Sequence, residues 1–212
     1  MPTISITDNQ NIIKELNSSD LDEKIDISSQ TKFNYFVYAK NSQINVTLQT
    51  LWDFVSWNVF VVCYWQWECT WNIITKINHS HSNINVLILS ILQDDNSVSL
   101  NWDIVVAKWI SQSQWHLLEK NLIVWKKIKV KVIPRLDVYS CDVQSTHWVS
   151  IDKMDTQNLY YMMSRGLSQK ESQNLLISWH IQNILQNFDE ISDMEKQDIQ
   201  STILSSIAMT ND

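Results

Sequence analysis

A chain of 212 residues with a single glycine must make nearly every turn with a side chain in place. Glycine is the residue that reaches left-handed backbone conformations at no steric cost. Average usage of about 7 % would supply roughly 15 of them. Tryptophan, normally scarce, occurs 11 times, and the stretch VVCYWQWECTW sets Trp65, Trp67 and Trp71 among Gln66, Glu68 and Asn72. Indole is usually buried with its N–H paired. Polar, turn-like company of this kind calls for glycine instead.

The turns so constrained are numerous. From Thr31 to about Trp148 the chain reads as short alternating runs, including INVTLQTL, NVFVVCY, NIITKI, NINVLILSIL, SVSLNWDIVVAKW, NLIVWKKIKVKV and RLDVYS. Period-two alternation, β-branched enrichment and bounding Asn, Asp and Ser mark strands of about five to seven residues. No helix-period segment separates them, which excludes a βαβ fold and leaves a sandwich, a barrel or a β-solenoid. Residues 1–30 are polar, with one short helical pattern around NQNIIKELNSSDLDEK, and are expected to be a weakly structured lead-in. The β core is assigned to 31–150.

Residues 151–212 read as a small helical domain. Asp155 is placed to cap a helix through TQNLYYMMSR, with Gly166 just past its end as a left-handed terminator. SQKE (Ser168–Glu171) and SDME (Ser192–Glu195) are capping boxes. Behind them Leu175, Leu176, Ile184, Leu185 and Phe188, then Ile199, Ile203, Leu204 and Ile207, fall at helical spacing.

Composition narrows the function. Net charge is -7 and the 16 basic residues form no long run, which speaks against nucleic acid or an anionic membrane as partner. The start MPTISITDNQ lacks the basic and apolar regions of a signal peptide, and no apolar run approaches the ~20 residues of a membrane span. Cys63, Cys69 and Cys141 contain no CxxC and fit reduced thiols. The expectation is a cytoplasmic protein. No phosphate loop and no GxSxG elbow is present, so no independent enzyme is expected.

The segment PRLDVYSCDVQSTHWVSIDKMDTQNLYYMMSRGLSQKESQNLLISWHIQNIL, residues 134–185, resembles the C-terminal part of the SufB/SufD family. The family pattern runs approximately P-x-L-x-I, D-V, S-H-G-A-T-V-G, L-F-Y-L-x-S-R-G-L-S, E-A and L-L-x-x-G-F. Pro134, Leu136, Asp142, Val143, His147, Leu159, Tyr160, Tyr161, Ser164, Arg165, Gly166, Leu167, Ser168, Glu171, Leu175 and Leu176 fall in register with it. Upstream, NWDIVVAKWISQSQWHLLEKNLIVWKK is similar to the family's N-G-x-I-x-V-x-x-G-A stretch. Where the family tends to have glycine, this chain has Trp102, Trp109, Trp125, Trp148 and Trp179. That exchange implies a lineage reading the UGA codon as glycine, rendered here as tryptophan; the alternative is a genuinely Trp-rich β protein.

The resemblance implies a right-handed parallel β-helix followed by the helical domain, acting as a scaffold subunit in iron–sulfur cluster assembly. It implies pairing with a SufB-like subunit, or with a second copy. It also implies docking of a SufC-like ATPase through the helices, where Leu159, Tyr160, Ser164, Arg165, Gly166, Leu175 and Leu176 are the expected contacts. The chain looks SufD-like, because Thr146-His147-Trp148 stands where SufB members have E-H-E, and Glu119 stands where they carry a cysteine. His147 matches the family histidine near the subunit interface and is the candidate metal ligand for a transient cluster, with no cofactor held stably. Cys141, six residues earlier, shares its strand parity and is a weaker candidate. Cys63 and Cys69 are read as structural, separated by a turn, and His79 with His81 as a polar loop. The competing class is a β-solenoid carbohydrate-active or acyl-transfer enzyme with carboxylates or a histidine on an exposed face.

Overall fold

The computed structural model describes residues 2–17, 19–40, 42–65, 69–92, 97–124, 128–186 and 192–208. Twelve strands precede three helices: β1 Thr3–Ile6, β2 Gln10–Asn17, β3 Leu21–Ile27, β4 Lys32–Lys40, β5 Ile44–Thr50, β6 Ser56–Trp65, β7 Cys69–Ile77, β8 Asn83–Leu92, β9 Ser97–Val106, β10 Ser111–Ile123, β11 Lys129–Val138, β12 Asp142–Lys153, then α1 Thr156–Ser164, α2 Gln169–Gln186 and α3 Asp193–Ala208. Odd strands stack in the order β1-β3-β5-β7-β9-β11 and even strands in the order β12-β10-β8-β6-β4-β2. Every pairing is parallel. Each winding of the chain lays one strand on each sheet, which makes a parallel β-solenoid.

In-register stacking puts equivalent residues on one face of every rung, so alternation within a strand becomes a row along the solenoid. Inward residues such as Ile25, Leu48, Val61, Ile88, Leu100, Trp115 and Leu117 fill a continuous lumen core. Outward rows are polar in part. Asn34 donates to Asn11, Asn58 to Asn34 and Asn85 to Asn58 at 2.8–2.9 Å, an asparagine ladder on the second sheet. Asn72 and Asn101 continue a matching ladder from Asn45 on the first sheet.

The segment expected to be a weakly structured lead-in is instead strands β1–β3, the first turn of the solenoid and the start of the second. Ile12, Ile13 and Leu16 mimic helical spacing, but Ile12 and Leu16 pack into the lumen while Ile13 faces out. Between them Lys14 breaks the apolar alternation. Its amine is held by the buried carboxylate of Glu23, which also accepts from the Tyr35 hydroxyl. That network is how a charge fits near the solenoid's first rung.

The helices do not stand apart as a separate body. Ile177, Ile181 and Leu185 of α2 and Ile203 of α3 join the outward residues Phe36, Tyr38, Phe60, Val62, Tyr64, Leu89, Ile91 and Leu122 in a second core. This is why β4 reads buried on both faces. Asp155 caps α1, its Oδ1 accepting from the Gln157 N–H at 2.8 Å. The Ser168–Glu171 box closes reciprocally: Glu171 N–H donates to Ser168 Oγ at 3.2 Å, and Ser168 N–H to Glu171 Oε2 at 2.7 Å. The side chains of Glu195, Ile184 and Ile207, and all of Phe188, lie outside the described residues, as do Trp67, Trp125 and the turn between Cys63 and Cys69.

The glycine shortage has a visible consequence. Phe54, His81, Trp109 and Gln112 take positive φ of 52° to 68°, and the one glycine, Gly166, sits at 98°. Phe54, His81 and Gln112 each stand just before or at the entry of an even strand, and the Phe54 and His81 rings stack at 4.3 Å. Each left-handed side chain costs on the order of 1–2 kcal/mol.

Candidate functional site

The solenoid ends on β11 and β12. Each is the outermost strand of its sheet, and each pairs on one flank only. Lumen-facing positions, which are covered by the next rung elsewhere, are uncovered here. Leu136 and Val138 of β11 and Ile151 of β12 are exposed apolar side chains at this end. His147 lies among them. It is in register with Leu117, a lumen residue of the rung below, so it occupies a lumen row rather than the outer surface. Partial burial by the surrounding strands holds its imidazole below the ordinary histidine range. A neutral imidazole at an apolar, unclosed end is a competent donor to a soft or borderline metal.

His147 lies in the middle of β12. Cys141 does not share its strand. It precedes β12 in a bend, and the β10–β12 register slips between Ser111 and Ser113, so strand parity does not extend to it. Its thiol is exposed. Among the described residues no three His, Cys, Asp or Glu side chains gather as a metal set.

One residue that the sequence marks only by its position proves to lie in the lumen beneath this end. Glu119 is buried in the row of Ile88 and Val149, and burial pushes its carboxyl above the ordinary glutamate range. Asn121 Nδ2 donates to its Oε1 at 3.0 Å and to the Ser150 carbonyl at 3.2 Å. The alternation Trp115, Leu117, Glu119, Asn121, Ile123 carried the signal, since all five share one parity.

The helical candidates divide by burial. Leu159 and Leu176 face the second core. Tyr160 (76 % exposed) and Leu175 (50 %) point to solvent, as do Ser164 and Arg165. Arg165 lies over the Tyr161 ring at 5.3 Å, and Ser164 Oγ donates to the Tyr161 carbonyl at 2.6 Å. α1 buries no residue, although Tyr160, Tyr161 and Met163 are all on it. A groove of about 400 Å³ runs between α1 and α2, lined by Asn158, Met162, Leu175, Leu176, Trp179 and Gln182. Exposed aromatic and aliphatic side chains around a groove are the make-up of a docking surface.

No helix among the described residues is long and apolar enough to cross a membrane. The SufBD core domain of the SUF iron–sulfur cluster assembly system matches residues 28–178. The chain is 27 % identical over 100 residues to the iron–sulfur cluster assembly protein SufD of Escherichia coli K12, covering 47 % of this chain and 24 % of that protein. It is 24 % identical over 101 residues to a SufBD family iron–sulfur cluster assembly protein of Synechocystis, covering 48 % and 22 % respectively. The matched region spans about a quarter of each relative. With most of the solenoid, α1 and part of α2 inside the matched range, the chain belongs to the SufBD family, as a SufD-like member.

Proposed function

We propose that this protein is a scaffold subunit of iron–sulfur cluster assembly, pairing end-on with a SufB-like subunit and docking a SufC-type ATPase on α1 and α2. The observation that carries this reading is the unclosed solenoid end, where His147 and the exposed apolar residues Leu136, Val138 and Ile151 occupy lumen rows that no further strand covers. Exposed apolar surface in that arrangement is stabilised by another rung laid over it. A nascent cluster is cargo at that junction, with His147 as this chain's ligand and the partner supplying thiolate or carboxylate. ATP hydrolysis belongs to the docked subunit, and this chain does no chemistry of its own. The match extends through the SRGLS segment, which a carbohydrate-active or acyl-transfer solenoid has no reason to carry.

The docking half is tested with Leu175→Asp. Leu175 is half exposed in α2 and lines the groove, so the change leaves the folded core untouched. Affinity for the SufC-like ATPase is expected to fall by about 2 kcal/mol, as for an interface anchor, with the thermal midpoint unchanged. Undiminished binding contradicts docking on this face.

A further inference from the structure

The two ends of the solenoid differ in what their lumen rows carry. At the first rung β1 is four residues long and begins opposite Lys24, so no β1 residue stacks on Glu23. On the other sheet β2 places Ile12, Lys14 and Leu16 on lumen rows, in register with Tyr35, Val37 and Ala39. The Lys14 amine thus points inward, held by Glu23 of the facing sheet, and Glu23 also accepts from the Tyr35 hydroxyl. Glu23 is 3 % exposed, whereas the Lys14 side chain keeps 25 % of its surface in water. At the last rung β11 and β12 are 10 and 12 residues long. Their lumen rows, Val130 to Val138 and Val143 to Ile151, hold no carboxylate and leave Leu136, Val138 and Ile151 exposed. A short edge and an inward-pointing charge are how natural sheets turn away a further strand. Both are at the first rung; the last rung has long edges and bare apolar side chains instead.

We infer that the Lys14–Glu23–Tyr35 network is a stop that bars strand addition at the first rung, so that copies of this chain do not stack head to tail. On the end-on pairing proposed above, it leaves the β11/β12 end as the single point of association. Two competent ends on one solenoid would make a heterologous contact, which grows into a filament. A strand laid on β2 strips the remaining water from the Lys14 amine. Taking an ion pair out of water is unfavourable unless new charges or hydrogen bonds compensate. Head to tail, Lys14 falls on the Val143 to Ile151 row of β12, which offers no acid in any register that keeps lumen on lumen. Glu119 is one strand deeper, beneath Val149. Two β2 strands paired lumen to lumen set Lys14 against Gln10, Ile12, Leu16 or the second Lys14, because Glu15 has outward parity. In every case the ion pair is covered and gains no carboxylate.

The test is sedimentation of the full chain over a concentration series, comparing wild type with Lys14→Val/Glu23→Leu/Tyr35→Phe, which replaces the network by apolar side chains. The variant is expected to keep the wild-type circular dichroism and to reach about twice the wild-type mass or more, rising with concentration. Lys14→Met alone, which leaves the Glu23–Tyr35 hydrogen bond in place, is expected to shift in the same direction, and it decides the matter if the triple variant does not fold. A folded variant that sediments as wild type at every concentration overturns the inference. Binding of the SufB-like subunit to wild type and to Ile151→Asp, on the uncovered lumen row of β12, separates this from the underlying reading. Loss of that binding in Ile151→Asp, with no self-association of Lys14→Met, keeps end-on pairing and removes the stop. Self-association of Lys14→Met, with Ile151→Asp binding as wild type, keeps the stop and removes end-on pairing at β12.

Discussion

Ile181→Asp is expected to destabilise the protein by on the order of 5 kcal/mol. Ile181 is fully buried, and its neighbours are apolar residues of the outer face of the second sheet together with Leu185 and Ile203. A carboxylate there meets mostly apolar side chains and no cation among the residues of that core, with only the Tyr38 and Tyr64 hydroxyls able to donate. The cost combines lost apolar burial with an unpaired charge, and it is comparable to the whole stability of an ordinary domain. Because α2 and α3 share this core with β4, β6 and β8, the loss is not confined to the helices. Detaching them exposes Phe36, Phe60, Tyr64 and Ile91 on strands whose other face is the lumen. Urea unfolding followed by circular dichroism should show helix and strand signals shifting together to much lower denaturant. Loss of the helical signal alone, with an unmoved β transition, contradicts a shared core and restores an independent helical domain.

Two tryptophan-to-glycine changes are expected to have opposite signs. Trp109 is 93 % exposed at φ 68°, packed on nothing and held in a conformation that glycine adopts freely. Trp109→Gly relieves that strain at some cost in unfolded-state entropy, a net gain of about 1 kcal/mol. Trp102 is in the lumen, stacked in register between Ile73 and Pro134, with its indole N–H buried and unpartnered. Trp102→Gly alone opens a cavity and costs about 3–5 kcal/mol, less the relief of one orphaned donor. Thermal midpoints of the two variants moving in the same direction contradict this account. The recoding inference is checked separately by codon. It requires UGA at both positions and glycine masses in the peptides of the native protein; UGG at both removes it.

How much of this was legible depends on which physical signal each element carries. β8 was readable over its full length, because NINVLILSIL combines β-branched residues with clear boundaries. The first three strands were not, because Lys14 occupies a lumen position that only the Glu23–Tyr35 network explains, and that network joins separate strands. The solenoid repeat is hidden by drift in its period. Stacked partners are 23 residues apart at Asn11–Asn34 and 31 apart at Ser82–Ser113, so no fixed period exists to find. The caps at Asp155 and Ser168 are local chemistry and were fully legible. His147 was recognised through its flanking motif, while its place in a lumen row depends on the β10–β12 register. Glu119 was named by its position alone, and its place in the lumen needed the same register. Cys141 shows the limit of parity arguments, since a bend falls between it and the strand.

The central claim is that the unclosed end of this solenoid holds a nascent cluster through His147. It is tested most directly by the iron and acid-labile sulfide content of the complex with the SufB-like and SufC-like subunits, compared for wild type and His147→Ala. The side chain is exposed, so the substitution should change stability by no more than about 0.5 kcal/mol, and the complex should still assemble. The account predicts an intact complex with markedly lower iron and sulfide. An intact His147→Ala complex carrying the wild-type complement of both would contradict it.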